Sequence, residues 1–169
     1  MFKEIFLFEL KYRFKRPANY IYFGIFFLLT FLAVNGMAGG FKGVVISVGS
    51  GGGGKVLANS PYQIYLLITL LSYFGILVTS AIMGNPVYRD FEHQTHSLFY
   101  SKPISKFGYL AGRFLGSLVI AFLVFSGLGI GILAASLMPW LDQDYLGPFY
   151  AMAYVQRYLV TVLPNLIFT

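Results

Sequence analysis

The sequence contains no cysteine. Disulfides, thiol nucleophiles and Cys-ligated metals are therefore excluded, and the redox compartment is left open. Charge is scarce too. Asp, Glu, Lys and Arg make up 11% of the 169 residues, whereas a soluble domain carries about 25%. Only six residues are acidic and only two are histidine, while 57% are apolar. A soluble fold of this size could not hide that much apolar surface, so composition points to an integral membrane protein. Three long runs, Tyr20 to about Ala38, Ile64 to Met83 and Phe114 to Met138, hold no Asp, Glu, Lys, Arg or His at all. Ion- and proton-coupled transporters need such groups at depth, so this lack counts against a secondary transporter and fits a machine powered from outside the membrane.

What is present gives an order of parts. Spans are expected at about 20–38, 64–83 and 112–138. The second, at 1.5 Å per residue, covers roughly 30 Å, the thickness of a hydrocarbon core. Pro61 before it, and Pro139-Trp140 after the third, suit helix ends at an interface. Residues 1–17 form a loose amphipathic helix lying at the interface, with Glu4, Lys11 and Lys15 on one face and Phe2, Phe6 and Leu10 roughly opposite. Pro17 breaks it before the chain turns into the bilayer. A cleaved signal peptide is a poor alternative, because the basic region is long, the apolar run is of full span length and more spans follow. After the polar turn Trp140–Pro148, residues 149–163 suggest a helix on the outer surface, since Gln156 and Arg157 are costly at mid-bilayer. Leu163-Pro164-Asn165 is a natural breaker, and 164–169 is expected to start a fourth span. The chain stops inside that span, which suggests a fragment of a longer protein.

The net charge of +6 sits beside apolar runs. Anionic membrane lipids and the positive-inside rule account for it better than nucleic acid does. Lys and Arg number five in residues 1–19 and four in 84–113, against two in 39–63 and one, Arg157, after the third span. That asymmetry puts the N-terminus and the 84–113 loop in the cytoplasm.

Two motifs invite chemistry and do not carry it. Gly49-x-x-x-x-Gly54-Lys55 matches the start of a phosphate-binding loop. However, Val56 stands where a Mg²⁺-holding Ser or Thr is needed, Asn59, Ser60 and Pro61 follow where a helix should begin, and the loop lies on the outer face. A flexible Gly-rich linker is the better reading, so no bound cofactor is expected here. Glu92-His93-x-x-His96 places two histidines three apart, not the four of a metalloprotease helix, and offers no third ligand.

The loop at 84–111 is more informative. Arg89 to Tyr100 can form a short helix, Lys102-Pro103 ends it, and Ser105 is a plausible N-cap for the helix that becomes the third span. A short rigid helix held between two spans is a mechanical handle: a partner that pushes it tilts both. Gly108, Gly112 and Gly116 recur every four residues, as do Gly127, Gly131 and Ala135. Each series makes a smooth ridge for close helix approach, either within one bundle or as a sliding seam between two bundles.

The residues Glu92, Thr95 and Leu98, then Pro103-Ile104-Ser105-Lys106, then Tyr109, Leu110, Gly112 and Arg113 carry a resemblance. The pattern resembles the cytoplasmic loop of ABC-2 type transporter permeases, and the order of parts is similar over most of the chain. Gln94 stands where many members have Gly. The chain is closer still to permeases of Bacteroidota-type bacteria, including a branch joined to an M1-type aminopeptidase-like domain. No His-Glu-x-x-His occurs in this sequence, so no peptidase chemistry falls on these residues. The resemblance implies a bacterial inner-membrane permease subunit with a separate cytoplasmic ATPase subunit and a second permease half or a homodimer. It implies ATPase contact through Asp90, Phe91, Glu92, Thr95, Leu98 and Phe99. The alternative is a membrane anchor for a C-terminal peptidase-like domain. The expected fold is all-α, a polytopic helical bundle with an interfacial N-terminal helix.

Overall fold

The computed structural model describes residues 2–41, 57–92, 105–141 and 143–168. Among these residues every element is helical and no β-strand forms. The helices are α1 (Phe2–Phe14), α2 (Pro17–Met37), α3 (Pro61–Glu92), α4 (Lys106–Ser136), α5 (Ala151–Arg157) and α6 (Leu163–Phe168). A short 3-10 turn, Gln143–Tyr145, precedes α5, and a π turn, Tyr158–Val162, joins α5 to α6.

Three helical stretches are long and apolar enough to cross a membrane: Pro17–Met37, Pro61–Gly84 and Lys106–Ser136. They are apolar on the outside as well as the inside. Ile21, Leu28, Leu32, Phe74 and Leu77 are exposed, while Phe26, Val34, Ile68, Phe125, Leu128 and Ile132 form the core. A helix apolar all round is not built to face water.

The hub is α4, against which α1 and α2 mainly pack. Its glycines explain how. A Cβ at Gly112 would lie 3.1 Å from Ile5 Cγ2, and one at Gly116 would lie 2.9 Å from Glu9 Cβ. Three turns further on, a Cβ at Gly127 would lie 2.7 Å from the Phe23 carbonyl oxygen, and one at Gly131 would lie 2.6 Å from that of Phe27 and collide with Thr30. One face of α4 thus receives α1 at its first half and α2 at its second. Gly108 differs: its N–H is donated to Ser105 Oγ (3.2 Å), and a Cβ there would meet only that hydroxyl. Ser105 is the N-cap of α4, as its place in the sequence suggests. Across the core, the Phe125 ring meets that of Phe26 in a tilted contact at 5.1 Å and fills the space that Gly75 leaves on α3.

The α1–α2 corner follows from local chemistry. Pro17 sits in the first turn of α2, where a missing N–H costs nothing. The last carbonyls of α1 have no partner inside their own helix. Asn19 Nδ2 donates to the Arg13 carbonyl (2.8 Å) and Tyr20 OH to that of Phe14 (2.8 Å).

Two helical runs pass through a proline. The apolar stretch of α3 ends at Gly84, in line with a second span at 64–83, while the helix itself continues through Pro86 to Glu92. The outer-surface helix at 149–163 and the fourth span at 164 were expected to be separate, yet residues 151–168 form one helical run through Pro164. The reason at Pro164 is the π turn. The Leu163 N–H reaches back five residues to the Tyr158 carbonyl, and the widened turn accommodates the proline ring. This run packs on α3 and α4. Asn165 Nδ2 donates to Ser72 Oγ (3.1 Å), the Arg157 guanidinium lies 4.8 Å over the Tyr65 ring, and Phe122 meets Tyr158 edge-on at 5.2 Å.

At the end where α2 and α4 finish, side chains pin the turns. Gly39, at φ 72°, lets the chain leave α2 in the left-handed region. Trp140 Nε1 donates to Asn35 Oδ1 (2.9 Å). Asn59 Nδ2 donates to the Gly147 carbonyl while the Gly147 N–H donates to Asn59 Oδ1, both at 2.6 Å. Replacing Asn59 by Ala removes both bonds from a buried position. The expected cost is about 1–3 kcal/mol, read as a lower midpoint of thermal unfolding in detergent, with faster proteolysis at 139–150.

Candidate functional site: a buried charged junction

Charged groups should avoid the interior of so apolar a bundle. Three are nevertheless buried together: Glu9 and Arg13 on α1, and Arg113 in the second turn of α4. Glu9 is wholly inaccessible. Its Oε1 accepts from Arg13 Nε (2.7 Å) and its Oε2 from Arg113 Nη1 (3.0 Å). One carboxylate therefore bridges two guanidinium groups on two helices. A lone buried charge costs several kcal/mol, and only close, well-oriented partners offset that.

Each member is placed by the local fold. Glu9 and Arg13 are one helical turn apart, so their side chains lie over one another. Gly116 lets the Glu9 backbone come close enough to α4 to reach Arg113. The Arg113 guanidinium also stacks 5.4 Å over the Tyr109 ring on its own helix. Arg13 reaches a third helix: its Nη2 donates to the Ile82 carbonyl of α3 (2.8 Å).

That acceptor has a cause in the sequence. In an α-helix the Ile82 carbonyl would accept from the N–H of residue 86. Residue 86 is proline and has no N–H. Arg13 supplies the missing donor from another helix. The continuity of α3 past Met83, which the sequence pattern does not suggest, is thus matched by a side chain 69 residues away in the chain.

Of the residues implied as ATPase contacts, Asp90, Phe91 and Glu92 form the last turn of α3, with Glu92 exposed. Thr95, Leu98 and Phe99 lie outside the described residues, as do His93, His96 and the Gly49–Lys55 loop. Among the described residues no group of three His, Cys, Asp or Glu side chains comes together as a metal site. Gly112, Gly116, Gly127 and Gly131 meet α1 and α2 of the same chain; Gly108 meets neither.

Sequence reasoning misses the junction itself. The signals were an i, i+4 Glu–Arg pair at 9 and 13, and a lone Arg113 at the head of an apolar run beside a small-residue ridge. Each is weak alone, and the pairing of Glu9 with Arg113 spans 104 residues. A search with this chain finds no match among protein-family models, curated proteins or solved structures.

Proposed function

We propose that this protein is a membrane-embedded permease subunit of an ABC-2 type transporter. In this reading a separate cytoplasmic ATPase supplies the energy and the segment after α3 receives it. The N-terminus and the 84–111 region face the cytoplasm of a bacterial cell, α1 rests at the membrane surface, and two permease halves form the route. The observation that carries the reading is the charged junction. It ties α1 to both helices that flank residues 93–104, to α4 at Arg113 and to α3 at the Ile82 carbonyl, so a push that reaches those points cannot move one helix without loading the others. The order of Lys- and Arg-rich segments, the three apolar helices and the Glu92-to-Arg113 pattern support it.

The test is co-purification of the protein with its candidate ATPase, comparing the parent with a Glu92→Arg, Leu98→Asp double variant. The parent is expected to retain the ATPase and the variant, still inserted in the membrane, to lose it. If both retain it equally, or neither does, residues 89–100 are not the contact, and a membrane anchor for a further domain becomes the better account.

A further inference from the structure

We infer that α3 contains a proline hinge at Pro86 and that Arg13 is the pin that holds it in one position. Two residues that weaken helices fall in one turn of α3. Pro86 removes a backbone bond, and Gly84, whose Cβ position has no neighbour within 4 Å, adds no packing. An interior proline is where a long helix usually bends. Here the helix runs on to Glu92. Of the described side chains beyond the proline, Tyr88 and Glu92 are both exposed, so neither holds the last turns in place by burial.

What reaches the weak turn is the guanidinium of Arg13, on the carbonyl that Pro86 leaves without its helical donor. The pin is itself set in order. Arg113 on α4 holds Glu9, Glu9 holds Arg13 by its Nε, and the other end of the same planar fork meets Ile82. A guanidinium stays charged at any accessible pH and offers donors in a fixed fork, which suits it to hold a carboxylate and a carbonyl at once. Arg13 is a positioning residue. With the pin in, α3 moves as one rod from Pro61 to Glu92. With it out, the segment beyond Pro86 swings independently. The functional consequence rests on the proposed coupling role: the pin decides whether displacement of residues 93–104 is passed into α3 or absorbed at Pro86.

The test needs no ATPase, so its failure leaves the coupling reading standing, and failure of that reading leaves the hinge standing. The chain lacks cysteine, so spin labels can be placed cleanly at Leu7→Cys and Tyr88→Cys, two exposed positions on the helices the pin joins. Pulsed EPR in lipid then reads the distance between them. The parent is expected to show one narrow population and Arg13→Met a second, displaced one. Adding Pro86→Ala returns an N–H to the Ile82 carbonyl, so Arg13→Met with Pro86→Ala is expected to show the single narrow population again. An Arg13→Met distribution identical to the parent overturns the pin. A second population that persists after Pro86→Ala overturns the hinge. If Arg13→Met does not fold, Arg13→Lys keeps the charge but replaces the fork by a single ammonium, and it is judged by the same two outcomes.

Discussion

Glu9→Ala is expected to be among the most damaging single substitutions in this protein. The carboxylate is fully buried and bridges Arg13 and Arg113. Removing it leaves two guanidinium groups inside an apolar bundle without their shared counter-charge. Breaking a buried ion pair by deleting one partner costs about 3–5 kcal/mol, because the survivor stays buried and uncompensated. For a chain of this size that is a fall in unfolding midpoint of roughly 6–20 °C, measurable as loss of the monodisperse peak after heating in detergent. Replacing all three charged residues by apolar ones, Glu9→Leu with Arg13→Met and Arg113→Met, should recover much of the loss. Apolar groups of similar volume carry no desolvation cost. Recovery should be incomplete, since Arg13→Met also strips Ile82 of its donor. A Glu9→Ala protein that unfolds within a degree or two of the parent would mean that the carboxylate is not in the interior.

The second large effect lies at the α2–α4 contact. At Gly131 a Cβ alone would sit 2.6 Å from the Phe27 carbonyl oxygen and overlap Thr30. The obstacle is backbone, which cannot turn aside as a long side chain can. Gly131→Leu is expected to force the two helices apart, at or above the upper end of the about 1–3 kcal/mol typical of overpacking. Gly24→Leu is the control. No atom lies within 4 Å of its Cβ position, and losing a helical glycine favours the helix by up to about 1 kcal/mol. Both variants, with the parent, are compared by the same heating assay. Equal behaviour of the two variants would show that the α4 ridge does not set the helix separation.

Much of this architecture is legible in residue order, because it depends on local chemistry. Uncharged runs longer than a bilayer core make the three apolar helices, Pro17 marks the α1–α2 boundary, and Ser105 caps α4. The failures have two physical origins: a group supplied from elsewhere in the fold, and a local backbone geometry that residue order does not announce. The span at 64–83 and the short helix from Arg89 read as separate, and the donor that serves the Ile82 carbonyl ahead of Pro86, Arg13, is not visible in local sequence. Pro164 reads as a breaker because the π turn before it leaves no mark in composition. On a helical wheel of the N-terminal segment, Glu4, Lys11 and Lys15 make a polar face, and all three are exposed, although Lys15 lies just past the end of α1. The same wheel gives no reason to bury Glu9 and Arg13 while Leu7 and Phe8 face outward. That arrangement needs Arg113 and the bare surface of Gly116, more than a hundred residues on. The coupling role proposed for Thr95, Leu98 and Phe99 rests on the resemblance alone, since all three lie outside the described residues, and it stands or falls with the partner.

The central claim is that a cytoplasmic ATPase acts on the segment that follows α3. The most direct measurement places a photo-cross-linking amino acid at Leu98 and, separately, at Phe149, an exposed position just before α5. Membranes carrying the protein and its candidate ATPase are then irradiated with and without ATP. The account predicts an adduct with the ATPase from position 98, changing in yield with ATP, and none from position 149. No adduct from position 98, or equal adducts from both, would contradict it.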